Sequence, residues 1–247
     1  MKGLLLTSAI ALITCLSSFS QVVKTAADSL PSKLTSFIIP SVFIGYGVVS
    51  LMGDNSIIRL DHSTSAELQE DHPTFLVKAD NYFRYAPVLA IYGLDLIGVK
   101  AKNEVLDRTI LLLGSYVLVS LTTNTIKGLS NRLRPDGSNY HSFPSGHTSM
   151  AFMTAELLHQ EYKDESIWYS VGGYAIASVT GILRLYNNQH WVSDIVAGAG
   201  FGILSTKLIY LAYPYVKQKL SIGKSALLRF TPGYQNHLIS FNLTKTF

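Results

Sequence analysis

The chain has 247 residues, enough for one ordinary domain with a full core. Only 15% are charged against about 25% in soluble domains, and 48% are hydrophobic, so an ordinary soluble surface is excluded in favour of a membrane or a very apolar helical core. The net charge of +4 comes without a dense Lys/Arg run, which argues against a nucleic-acid partner and fits an anionic substrate or lipid surface, and the single Cys15 excludes an internal disulfide or a Cys-based zinc site.

In chain order, residues 1–20 read as a secretory signal peptide. Lys2 opens it, Leu4 to Leu16 is a short apolar run, and Ser18 and Ser20 stand in cleavage spacing before Gln21. A lipidated Cys15 or an uncleaved anchor are the alternatives, and each implies export. Apolar stretches follow at about 36–52, 86–100, 109–126, 148–160, 168–183 and 194–213. None alternates with period two and most outrun a strand, so each predicts a helix. Residues 109–126 would extend about 27 Å, just enough to cross a bilayer. The last stretch carries Gly198 and Gly202 at GxxxG spacing, which lets helices approach closely.

Residues 53–85 form a polar, acidic connector with one amphipathic helix expected. Lys100, Lys102 and Arg108 lie together between two apolar stretches, and Lys217 and Lys219 follow the last one. If those basic groups face inward, the segments 127–147 and 184–193 face outward. That arrangement requires 36–52 to pack on the bundle without crossing. The tail, 221–247, alternates loosely at Ile239, Phe241 and Leu243. A strand or hairpin is open there, with a disordered or docked tail preferred. The expected fold is all-α, a bundle of about six membrane-embedded helices with an active site at one end; a soluble all-helical bundle is the alternative. The expected divisions are the signal peptide 1–20, an N-terminal helix and connector 21–83, a catalytic core 84–213, and a tail 214–247.

Three segments carry chemistry: Lys127 through Arg134-Pro135, then Pro144-Ser145-Gly146-His147, then Arg184 through His190 to Asp194. Each stands at the end of an apolar stretch, so alternating helix directions gather them at one end of the bundle. Lys127, Arg134 and Arg184 would repel one another unless an anion lay between them, and a phosphate supplies charge and acceptors for guanidinium forks. Ser145 and Gly146 open a helix whose free N–H groups suit an anion. His190 and Asp194, four apart, share a helical face. A carboxylate that fixes one imidazole nitrogen leaves the other free to attack phosphorus. His147 remains to protonate the leaving oxygen and then to activate water. Each segment alone has a plainer reading, as a solvated helix end, a capped turn or a structural histidine; their order and placement together favour the site.

These residues resemble the type-2 phosphatidic acid phosphatase and vanadium haloperoxidase superfamily, whose pattern is K-x6-RP, PSGH and SR-x5-H-x3-D. Only one position departs: Leu183 stands where the pattern has Ser. The match covers about residues 84–213. The resemblance implies an all-α bundle and phosphate binding by Lys127, Arg134, Ser145, Gly146 and Arg184. It assigns His190 as nucleophile, Asp194 as its orienter and His147 as acid, with no metal or other cofactor expected. The expected activity is hydrolysis of a phosphomonoester or pyrophosphate on an envelope lipid, such as lipid A, undecaprenyl pyrophosphate or phosphatidic acid. The expected place is the bacterial inner membrane, with the site facing the periplasm. A soluble periplasmic acid phosphatase, a vanadium-dependent haloperoxidase and a non-catalytic lipid-binding protein are the alternatives.

Overall fold

The structure, a computed structural model, describes residues 32–219, 227–235 and 238–246. The signal-like segment and Cys15 lie outside them. The chain divides into two compact units, Met1–Lys207 and Leu208–Phe247.

The first unit is helical. Its elements are α1 (Ile38–Val49), α2 (Ser56–Asp71), a single turn Asp80–Phe83, α3 (Ala86–Leu96), α4 (Val105–Ser130), α5 (Gly146–Tyr162), α6 (Ile167–Tyr186) and the greater part of α7 (Val192–Lys219). All six apolar stretches are therefore helices, and α2 is the helix expected in the polar connector. The ends have local causes. The Asn55 side chain accepts from the Ile57 and Ile58 N–H groups and starts α2. Ser145 caps α5 and Ser166 caps α6. Asn131 stops α4 by entering the left-handed region at φ 44°, a conformation Asn tolerates.

Packing around α7 is set by its glycines. A Cβ at Gly198 would lie 2.8 Å from the Ser145 carbonyl oxygen, and one at Gly202 would lie 2.3 Å from that of Ser149. Both positions press on α5. On another face, a Cβ at Gly200 would lie 2.7 Å from the Pro40 carbonyl oxygen, and Gly47 of α1 answers it by closing on Ala197. So α7 is clamped between α5 and α1, with Phe143, Ala197 and Phe201 in a buried cluster against Ile44 and Ile126. A second cluster, Ala151, Ala155 and Ala177, joins α5 to α6 through small side chains.

The outside of the bundle is apolar. Leu89, Leu96, Leu113, Leu121 and Trp168 are each more than half exposed. The helices α4 and α7 are long and apolar enough to cross a membrane. Exposed apolar bands of this extent call for a lipid or protein cover. Polar residues within the apolar stretches are paired inside: Asp95 with Arg108, and Glu156 with Lys207 at 2.9 Å. Arg108 departs from the sequence reading here, since it is fully buried and does not share an exposed basic cluster with Lys100 and Lys102. One turn into α4, it also donates to the Tyr162 hydroxyl at 3.3 Å.

The second unit holds the end of α7 and an antiparallel hairpin of β1 (Leu227–Gln235) and β2 (Leu238–Thr246), with Leu227 opposite Thr246 and Gln235 opposite Leu238. The loose alternation of the tail is thus a hairpin, a reading left open from sequence, rather than the disordered segment.

The glycine clamp gives a direct test. Gly202→Ala should destabilise by about 1–3 kcal/mol, the usual cost of overpacking, because the added methyl meets backbone on α5. Gly93→Ala on α3, with open space around it, should be neutral or stabilising by up to about 1 kcal/mol. Thermal melts of both variants in detergent would check the pair.

Candidate active site

The three segments meet at one end of the bundle. Lys127 closes α4, and its ammonium donates to the carbonyl oxygens of His141 at 2.6 Å and Ser142 at 3.5 Å. The loop 131–145 folds back over that end. It carries Arg134, whose N–H donates to the Asn139 carbonyl. Gly146 opens α5 beside Lys127, where a Cβ would lie 3.7 Å from the lysine Cε. His147 follows in the first turn. Arg184 sits in the last turn of α6, and His190 lies just before α7.

His190 is almost completely buried, at 2% exposure. Its Nδ1 stands 3.5 Å from Asp194 Oδ2 and has no closer acceptor. Catalytic hydrogen bonds in ligand-free sites are often this long and tighten on binding. The pairing directs Nδ1 toward the carboxylate and leaves Nε2 on the opposite edge of the ring. Asp194 is itself fully buried and fixed. Its Oδ1 accepts from Arg132 Nη1 at 2.8 Å, and its Oδ2 accepts from the Ser142 hydroxyl and from the Trp191 N–H at 3.0 Å.

Cations act on both imidazoles. Burial pushes His147 down to about 3, and the neighbouring Arg184, Arg84 and Arg134, together with any charge on His190, push the same way. Burial likewise lowers His190 to about 4; Asp194 opposes that, while Lys127 and Arg184 add to it. Both imidazoles are therefore neutral near pH 7 with nothing bound. The Nε atoms of Arg134 and Arg184 are buried donors without an acceptor among the described residues. Buried donors are nearly always paired in folded proteins, so these two mark where an acceptor-rich anion would sit.

Two site residues have local duties as well. The Ser145 hydroxyl is buried and accepts from the Thr148 N–H at 3.4 Å while bonding the Thr148 hydroxyl at 2.9 Å. Its role is shared with capping α5. Arg184 pairs through Nη1 with Asp80 at 2.6 Å.

Sequence reasoning missed the partners from the connector. Asp80 and Asn81 lie on the single turn before α3, and Asn81 Oδ1 is 2.8 Å from His147 Nε2. Asp61 on α2 pairs with Arg132 at 2.7 Å. Asn187 exchanges hydrogen bonds with the Val77 backbone, and Asn188 accepts from Ser65 at 3.0 Å. No signal in the sequence marked these pairings, since Arg59 and Lys78 stand two positions from Asp61 and Asp80 and offered nearer partners.

The end of the helical bundle thus gathers two neutral histidines, a buried aspartate and guanidinium groups with buried, unpaired Nε donors, a set suited to an acceptor-rich anion. The segment holding most of it, residues 108–218, matches the PAP2 superfamily. Over 139 residues the chain is 41% identical to a lipid A 1-phosphatase of Porphyromonas gingivalis, covering 56% of this chain and 31% of that protein. Over 95 residues it is 30% identical to the bacitracin transport permease protein BcrC of Bacillus licheniformis, covering 37% of this chain and 45% of that one. The chain thus spans less than half the length of these two relatives. Among solved structures, the transmembrane PAP2-type phosphatidylglycerolphosphate phosphatase of Bacillus subtilis shares the fold, with a TM-score of 0.51 and 20% identity over 73% of this chain and 98% of that one.

The depressed histidines make stability depend on pH. Between about 6.5, where free histidine titrates, and the folded values of about 4 for His190 and 3 for His147, the unfolded chain binds protons that the folded chain refuses. Stability therefore falls as pH drops through that window. The melting temperature should fall between pH 7 and pH 5. A His147→Asn/His190→Asn variant should show a shallower fall over the same interval.

Proposed function

We propose that the protein is a phosphatase that hydrolyses a phosphomonoester or pyrophosphate on an envelope lipid through a phosphohistidine at His190. The observation that carries this reading is the buried His190–Asp194 pair, with Lys127 and Arg184 near enough to act on the imidazole. Asp194 holds Nδ1, so the lone pair on Nε2 attacks phosphorus. The bond from phosphorus to the leaving oxygen breaks, and that oxygen takes a proton from His147. In the second step His147 removes a proton from water, the water oxygen attacks phosphorus, and the P–N bond breaks to regenerate His190.

The surrounding cations act twice. Lys127, Arg134 and Arg184 neutralise charge on the transferring phosphoryl group, which makes them the phosphate-binding set together with the helix start at Ser145 and Gly146. Burial, with Arg184 and Arg134 adding to it, also keeps His147 neutral while the site is empty. An incoming phosphate dianion cancels that repulsion and raises the affinity of His147 for its proton, so the acid is loaded only when substrate is present. These residues supply positive charge by themselves, which supports a reaction that needs no metal.

Lipid A bearing a 1-phosphate is the favoured substrate, because the relative with 41% identity carries that name. The apolar surface of α4 and α7 supports a site in the bacterial inner membrane opening to the periplasm, rather than a soluble acid phosphatase. Phosphate release should be measured in detergent, with EDTA present, from lipid A, undecaprenyl pyrophosphate, phosphatidic acid and p-nitrophenyl phosphate. Release that resists EDTA, favours lipid A and falls about a thousandfold or more in His190→Ala is expected, as for loss of a nucleophile. Release that His190→Ala leaves untouched would overturn the mechanism.

A further inference from the structure

The nucleophile's carboxylate is held by a guanidinium that a second carboxylate shares. Arg132 lies between Asp194 and Asp61, at 2.8 and 2.7 Å, and both carboxylates are sealed from solvent. Arg132 Nη1 also donates to the hydroxyls of Ser193 at 2.7 Å and Ser50 at 3.1 Å, and its guanidinium stacks on the Trp191 ring at 5.6 Å. Asp61 completes the cluster by accepting from the Ser193 N–H at 2.9 Å and from the Ser193 hydroxyl. It stands on α2, outside the segment that matches the PAP2 superfamily.

Counting acceptors shows what is at stake. Asp194 Oδ2 already takes two donors, from Ser142 and Trp191, and His190 Nδ1 is the third, at 3.5 Å. The hold on His190 is thus the weakest claim on Asp194. A guanidinium with no other carboxylate would place its whole charge on Asp194 and draw negative charge away from the imidazole. Asp61 takes up half of that demand.

We propose that Asp61 is a positioning residue for the His190–Asp194 pair: by neutralising Arg132, it leaves the Asp194 carboxylate able to fix the Nδ1–H form of His190. This rests on the phosphatase reading for its effect on rate, but not for its effect on the imidazole. With Asp61 in place, Asp194 keeps the proton on Nδ1 and Nε2 stays bare. Without it, the two neutral forms of the ring mix and the fraction able to attack falls.

The test uses the full chain in detergent with 15N-labelled histidine. The His190 resonances are identified by their loss in His190→Ala. Nitrogen shifts at neutral pH give the tautomer, and lipid A turnover gives kcat and KM. Asp61→Asn should move His190 from the Nδ1–H form to a mixture and lower kcat tenfold to a hundredfold, roughly the range for loss of an outer partner, with KM unchanged. The double variant Asp61→Asn/Arg132→Gln removes both charges and should return the tautomer and much of kcat. A purely structural anchor predicts the reverse, with the double variant worse than the single. An unchanged tautomer in Asp61→Asn, a double variant worse than the single, or failure of both variants to fold would each overturn the proposal. If Asp61→Asn alone does not fold, the double variant decides by its tautomer. Loss of His190-dependent turnover in the wild type would sink the phosphatase reading, and the nitrogen shifts would still decide the role of Asp61.

Discussion

Asp194 is a carboxylate sealed from water, and the cost of sealing it organises the end of the bundle. An isolated buried charge is far too costly to keep, so donors must reach it from several parts of the chain. Arg132 and Ser142 come from the loop after α4, and Trp191 comes from the turn before α7. The Asp194 backbone carbonyl in turn accepts from the Ser145 N–H at the start of α5. Three chain segments are thereby tied to one residue. Without that carboxylate, the loop 131–145 would lose its main polar anchor, and the phosphate-facing groups would lose their common reference point.

The cations face a different constraint. Arg184 has a carboxylate partner in Asp80, whereas Lys127 is held by neutral carbonyls. A lysine on two carbonyls keeps its full charge available, and an arginine held by one end keeps its remaining donors aimed elsewhere. The unpaired Nε atoms of Arg134 and Arg184 are that remainder. The site is thus balanced on the Asp194 side and left positive on the side of Lys127 and Arg134. A dianion entering from the positive side would satisfy buried donors and relieve repulsion at once, which is a better match than a neutral or monoanionic ligand offers.

Much of this was legible in the sequence, for physical reasons that differ by element. The helices announced themselves because runs such as 109–126 are too long and too uniformly apolar for strands. The three chemical segments could be placed together because each adjoins a helix end. GxxxG at Gly198 and Gly202 named the close approach of α7, though not that α5 was the neighbour. What stayed hidden was every contact made by residues 53–85. Asp61 reaches Ser193 across 132 positions, and Asn81 reaches His147 across 66. No local periodicity encodes such pairings; they follow from how α2 packs beside α6 and how the Asp80 turn packs against α5 and α6. The hairpin at 227–246 was visible only as loose alternation, too weak to separate strand from coil without the register that pairing supplies.

The spacing of charges along α4 connects the site to a membrane. Arg108, one turn into the helix, pairs with Asp95, and Lys127 stands one turn from the other end. Arg108 and Lys127 stand nineteen positions apart, about 28 Å at the α-helical rise, close to the roughly 30 Å of a bilayer's hydrocarbon core. Between them the exposed residues of α4 are Leu113, Tyr116, Val117 and Leu121, then Asn124 and Thr125 near the Lys127 end, with no charged residue. A helix so marked is long and apolar enough to span that core. In the proposed function, Lys127 and the residues tied to it by the loop 131–145 and by Asp194 would lie at headgroup depth. A lipid phosphate occupies that depth by itself. In the proposed function a lipid substrate would reach His190 by moving sideways within the leaflet, not out of it.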